Sequence, residues 1–138
     1  MNSIKINLYF SFVVSIAATF GSLFFSEVLG YPPCVLCWYQ RICMYPLVLI
    51  LGAAIWWEDS QFLKYSMPLS VMGAGIAIYH NLLYYSIIPD SITPCTQGIS
   101  CTSKQVEYLG FITIPLMSLT SFVILTALGF LTLRKLRK

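Results

Sequence analysis

Four stretches without a single Asp, Glu, Lys or Arg divide this chain, and they leave few folds open. Lys5 to Glu27 encloses 21 residues, Arg41 to Glu58 encloses 16, Lys64 to Asp90 encloses 25, and Glu107 to Arg134 encloses 26. A helix needs about 20 apolar residues to cross a hydrocarbon core of about 30 Å. Three stretches meet that length. The second is short, so its helix is expected to begin upstream of Arg41, near Cys37. Charged residues make up 9% of the 138 and apolar residues 58%, against about 25% charged in a soluble domain. So few charges cannot cover the surface of a small water-soluble protein, and lipid is the solvent that fits. The first stretch exceeds the 7–15 residues or so of a signal-peptide apolar region, and no small-x-small cleavage site follows it. It reads as a retained span. The expected fold is all-α: an integral membrane four-helix bundle forming one domain over 1–138, with spans near 6–28, 38–57, 65–88 and 109–133.

Lys and Arg set the expected orientation. Four of the eight, Arg134, Lys135, Arg137 and Lys138, fall in the last five positions. With Lys5 and Lys64 they predict both termini on the cytoplasmic side. The net charge of +3 therefore marks a membrane anchor and not a nucleic-acid surface. Two loops then face outward. One runs from Leu29 to about Cys37 and is broken by Gly30, Pro32 and Pro33; the other runs from about Pro89 to Gly110 and carries Pro94 and Gly98. Tyr31, Trp38, Tyr39, Tyr84, Tyr85 and Tyr108 are expected in an outer aromatic belt, and Trp56 and Trp57 in an inner one. Gly73 with Ala77, and Ala17 with Gly21, have the spacing that lets helices approach closely. Pro46 is expected to kink the second span. Glu27 and Gln40 are expected to reach toward the headgroups.

The cysteines are not scattered as apolar filler. Cys34 and Cys37 form C-x-x-C at the start of the second span, and Cys95 and Cys101 lie in the second loop. All four fall outside, where disulfides persist. C-x-x-C is a redox dithiol spacing that lowers a thiol pKa. Cys37 would gain further from a helix N-terminus and from Arg41, four residues on along the same face, whose charge is permanent. Other readings stay open on spacing alone: structural disulfides for either pair, or a zinc site from the four thiols. Covalent haem is excluded because Trp38 stands where C-x-x-C-H requires His. No metal ligand set is assigned. Cys43, inside the second span without a partner, reads as a small buried hydrophobe. His80 is the sole histidine and lies in the outer half of the third span, so it is either a functional group or a packing residue.

The string Pro33-Cys34-Val35-Leu36-Cys37-Trp38-Tyr39-Gln40-Arg41, then Tyr45-Pro46 and Tyr79-His80, resembles the DsbB-type disulfide bond formation proteins, and most of all their short BdbC-like form from Gram-positive bacteria. The likeness covers essentially the whole chain. It implies an oxidoreductase of the bacterial plasma membrane that reoxidises a secreted or membrane-tethered thioredoxin-fold thiol-disulfide oxidoreductase and passes electrons to a membrane quinone, menaquinone or ubiquinone. By position, Cys95 would take the partner's attack, Cys101 would relay to Cys34, and Cys37 would be the thiolate beside the quinone. Arg41 and His80 would flank that cofactor. The Cys95–Cys101 spacing is shorter than in the ubiquinone-coupled members, and Gln40 stands where some members carry an acid. Two competing readings are a vitamin K epoxide reductase-like quinone reductase, in which the loop pair precedes C-x-x-C and does not follow it, and a structural or metal-binding membrane protein with stapled loops.

Overall fold

The computed structural model describes residues 3–59, 61–92, 95, 98–102, 107–108 and 112–137, with backbone alone for Asp90, Glu107 and Tyr108. Pro94, Gly110, Lys138 and the Tyr108 side chain, all used in the sequence reading, lie outside that description. Four long helices dominate: α1 (Ser3–Leu23), α2 (Val35–Trp56), α3 (Leu63–Tyr84) and α4 (Ile114–Leu136). A π-helical turn, Phe24–Val28, extends α1, and a hairpin of two-residue strands, Glu107–Tyr108 and Ile112–Thr113, precedes α4.

Each start and stop has a local cause. Gly30, at φ +69°, makes the left-handed turn that a Cβ disfavours, and Pro32 and Pro33 keep the chain out of helix. The Cys34 side chain then caps α2 by accepting from Cys37 N–H at 3.4 Å. The helix therefore starts at Val35, a turn earlier than the predicted start near 38. At its far end Asp59 N–H bonds Ala54 C=O across Glu58 at φ +49°, and α3 ends alike, with Ile87 N–H on Leu82 C=O across Ser86 at φ +57°. These 6→1 bonds satisfy carbonyls that a helix end leaves unpaired. Thr113 caps α4, and Pro115 sits in its first turn, where a missing N–H costs nothing.

Contacts between helices fix an up-down bundle. At one end Lys5 pairs with Glu58 at 3.0 Å and Asn7 donates to Thr132 at 3.0 Å, so the start of α1 lies beside the ends of α2 and α4. At the other end Arg41 reaches Ser22, and Asn81 donates to Pro115 C=O at 2.9 Å. α1 and α3 each pack against both α2 and α4. Both cysteine pairs belong to this second end, and the start of α1 and the end of α4 to the first.

Polarity runs inside out. Leu49 is 75% exposed, and Phe10, Val13 and Phe20 also face outward, whereas Ser15, Ser70 and Thr132 are buried. Such a surface suits hydrocarbon, where packing and side-chain hydrogen bonds hold helices together. α1 with its extension, α2 and α4 are each long and apolar enough to cross a membrane. α3 carries Ser66, Ser70, Asn81 and His80, all buried, along its inward side.

Close packing corrects parts of the sequence reading. Gly73 does mark a close approach, since a methyl there would overlap the Phe122 ring, and Ala77 beside it is fully buried. A methyl on Gly21 would meet nothing within 4 Å; with Ala17 it lines a cavity and makes no tight crossing. Trp38, Tyr39, Tyr85, Trp56 and Trp57 are exposed as belt residues should be, but Tyr84 is buried, its ring edge-on to Tyr85 at 5.5 Å, and Tyr31 lines the same cavity as Gly21. Gly73→Ala should cost ~1–3 kcal/mol through overpacking against a rigid ring. Gly129→Ala should cost less, because the neighbour there is the flexible Met67 side chain. Thermal unfolding in detergent reads both, and equal midpoints for the two variants would contradict this packing.

Candidate functional site

Cys34 is at once a helix cap and half of the dithiol. Its sulfur lies 3.1 Å from Cys37 Sγ and 3.8 Å from His80 Nε2, and it accepts Cys37 N–H. The thiol contact with Cys37, the His80 ring and the helix-start N–H together hold the Cys34 pKa well below the ordinary thiol range, against the opposing effect of burial. Sequence position alone favours Cys37 as the thiolate. In the fully reduced pair the donors converge on Cys34, because it occupies the cap position and Cys37 is already inside the helix. Cys37 instead faces the cavity described below.

His80, 2% exposed, is brought to the pair from α3. Its Nδ1 lies 3.1 Å from Gln40 Nε2. Gln40 thus points inward, at 6% exposure, contrary to the headgroup position expected for it. An amide at a cap-proximal helix position would orphan two polar atoms in lipid, and the histidine gives it a partner. With Gln40 donating to Nδ1, the ring carries its proton on Nε2, facing the Cys34 sulfur.

Arg41 is tied to α1. Nε donates to Ser22 Oγ at 2.9 Å and Nη2 to Ser22 C=O at 3.1 Å, and the guanidinium lies over the Trp38 ring at 5.4 Å. It lines, with Cys37, a cavity of about 480 Å³ between α1, α2 and α4. The walls are largely apolar, with Phe25, Met44 and Met117 among them. Tyr45, a turn beyond Arg41, also lines the cavity, and its buried hydroxyl has no hydrogen-bond partner among the described residues. The sequence reading gave Tyr45 no role. A Tyr four residues after Arg41 on the same helical face was the available signal.

The second pair is a disulfide, Cys95–Cys101, with Cα atoms 6.0 Å apart, whereas Cys34, Cys37 and Cys43 are free thiols. Cys101 is buried with Cys34, Leu36 and Leu83 in one apolar cluster, against which Cys37 and Cys95 pack. The two pairs, more than fifty residues apart in the chain, are therefore neighbours. Cys43 lies in the main core, away from this cluster.

A lowered pKa means that Cys34 keeps its charge as the pH falls through the ordinary thiol range and loses it only below that range. Thiolate absorbance of the reduced protein should therefore persist into mildly acidic solution. His80→Ala removes one stabilising partner and should move the transition toward higher pH. An unchanged transition in that variant would dismiss His80 as a contributor.

Comparison with known proteins places the chain in a family. The family described as "Disulfide bond formation protein DsbB" matches residues 5–132. The chain is 46% identical over 118 residues to "Disulfide bond formation protein C" of Bacillus subtilis (strain 168), covering 86% of each chain. It is 39% identical over 129 residues to a "Probable disulfide formation protein" of Metapseudomonas resinovorans, covering 93% of this chain and 90% of the relative. It is 37% identical over 127 residues to "Probable disulfide formation protein C 1" of Bacillus anthracis, at 92% and 91% coverage. No solved structure matches. With the match running through all four helices and both cysteine pairs, this chain belongs to the DsbB family of disulfide bond formation proteins.

Proposed function

We propose that this chain is a quinone-coupled thiol oxidase of the bacterial plasma membrane that reoxidises an extracytoplasmic thioredoxin-fold dithiol partner. The observation that carries the reading is the shared cluster that brings the two cysteine pairs together. Thiol–disulfide relay requires sulfurs close enough to exchange.

In this reading a partner thiolate attacks Cys95 and frees Cys101. A second partner thiolate resolves the mixed disulfide and leaves Cys95 and Cys101 reduced. Cys101 then attacks Cys34 of an oxidised Cys34–Cys37 pair, so Cys37 leaves as the thiolate. That gives Cys37 the anionic role in the mixed disulfide, while Cys34 holds the charge once the pair is fully reduced. Cys95 resolves the Cys101–Cys34 bond. Each turn moves two electrons and two protons out of the partner.

The cavity fits a quinone head. Its volume falls within the range of about 300–1,000 Å³ usual for small-molecule sites, mostly apolar with a few polar groups. The Arg41 guanidinium suits a carbonyl oxygen. A bound quinone would supply the two-electron sink, and a sink is needed because reoxidising a strongly oxidising partner costs about 1.4 kcal/mol per 30 mV. Cys37 presents the reducing sulfur at the wall, and Arg41, immobilised on Ser22, supplies a fixed cation there.

The test is turnover of a dithiol partner with quinone. Ser at Cys34, Cys37, Cys95 or Cys101 should abolish it, and Cys43→Ser should retain it. Arg41→Gln should lose quinone reduction by tenfold or more, Arg41→Lys in part because the planar fork is gone, and both should still form the partner mixed disulfide. Equal loss of both steps, or full quinone reduction in Arg41→Gln, removes Arg41 from the quinone site. The orientation has its own check. After reduction, an impermeant maleimide added to intact cells should label the Cys95–Cys101 pair, and labelling only after lysis would reverse the proposed sidedness.

A further inference from the structure

Cys34 Sγ, Cys37 Sγ and a ring nitrogen of His80 all lie within 4.8 Å of one another. We propose that the reduced first pair, with His80, is a redox-gated binding site for a thiophilic cation of the zinc class, and that occupancy arrests the protein in its reduced form. Cation binding lies outside electron relay and itself needs no quinone.

The donor set and its spacing support it. Two thiolates and an imidazole are the ligands that zinc and its soft neighbours select, and they discriminate against magnesium and calcium. At Zn–S of about 2.3 Å and Zn–N of about 2.05 Å, tetrahedral geometry sets S···S near ~3.8 Å and S···N near ~3.6 Å. The observed Cys34–Cys37 distance of 3.1 Å needs the sulfurs to part by about 0.7 Å, while the Cys34–His80 distance of 3.8 Å is already close to the required value. Three protein ligands leave one position open. Cys37 and Gln40 border the cavity, so water can complete the shell.

The surroundings are those of a metal site. Gln40 sits on His80 Nδ1, where ligating histidines usually hold an outer partner that fixes ring and tautomer. Turning the Gln40 amide lets its oxygen accept Nδ1–H and frees the Nε2 lone pair for the cation. Charge also balances, since two thiolates and a divalent cation sum to zero. A neutral centre is far cheaper to bury than a lone thiolate. The four-thiol zinc site considered from spacing is a different one, because Cys95 and Cys101 are bonded to each other.

The binding step is acid–base alone. The cation forms two metal–sulfur bonds and one metal–nitrogen bond, thiol protons leave to solvent, and no electron moves. When the cation is absent, the pair gives two electrons to the quinone of the proposed function; the sulfurs join, both thiolates are lost, and the oxidised pair cannot bind the cation. While bound, the cation occupies the sulfurs that relay requires.

The experiment uses the full chain carrying Cys95→Ser and Cys101→Ser, so the first pair is the remaining dithiol. Titrating Co²⁺ into the reduced protein should give one equivalent with sulfur-to-cobalt charge-transfer bands and tetrahedral d–d bands, and Zn²⁺ should displace it. The oxidised protein should give no bands. His80→Ala should weaken binding at least tenfold, and Gln40→Ala by about tenfold as an outer-partner loss. A free-thiol count in each variant confirms that the pair is intact. A folded, reduced protein without these bands overturns the proposal. So does undiminished binding in His80→Ala, which would mean simple dithiol chelation.

Discussion

Hydrocarbon offers a backbone amide no hydrogen-bond partner, and the rest of this structure depends on that deficit. It forces long continuous helices and turns the polar side chains inward. Asn7 therefore bonds Thr132 across the bundle, and Asn81 bridges Ala77 C=O on its own helix and Pro115 C=O on α4. The same deficit makes the end of α3 a place where a histidine and an amide satisfy one another. The polar centre is therefore part of the device that closes the bundle at that end.

Helix termination and redox chemistry meet at one atom. The first N–H groups of α2 need an acceptor, and the Cys34 sulfur provides it. A thiolate serves that role better than a neutral thiol, since the helix start favours negative charge. Reducing the pair thus strengthens the cap. Oxidation joins the same sulfur to Cys37, three residues on, and withdraws its charge. The local stability of the start of α2 and the redox state of the pair are coupled through that sulfur. Pro33 before it and the rigid Arg41–Ser22 clasp one turn beyond Cys37 limit how far the segment can relax.

The bundle also divides its labour by end. The terminus-bearing end is held by ordinary contacts, namely the exposed Lys5–Glu58 pair, worth little by itself, and the Asn7–Thr132 bond. The opposite end carries the wide cavity, both cysteine pairs and the groups that orient them. Small residues serve both purposes. Gly73 admits Phe122 to close the α3–α4 contact, while Gly21 and Ala17 leave open space between α1, α2 and α4. One residue type with one spacing gives contact in the first case and a void in the second, and only the facing side chain decides which.

That contrast separates what the sequence determines from what the fold decides. Charge-free stretches of helical length determine four long helices, three of them apolar enough to cross a membrane, because length and solvation are properties of each segment alone. Two cysteine pairs at one end follow from the same count, since each span reverses the side of the next loop. The neighbours of a side chain are not a property of its segment. Gln40 and Tyr84 read as interfacial from position, yet both are buried, Gln40 because α2 turns it toward His80 of α3. The meeting of Cys101 with Cys34, of His80 with the same sulfur, and of Tyr45 with the cavity depends on helix rotation and packing. Those are set by contacts between residues far apart in the chain, and no single stretch of sequence encodes them.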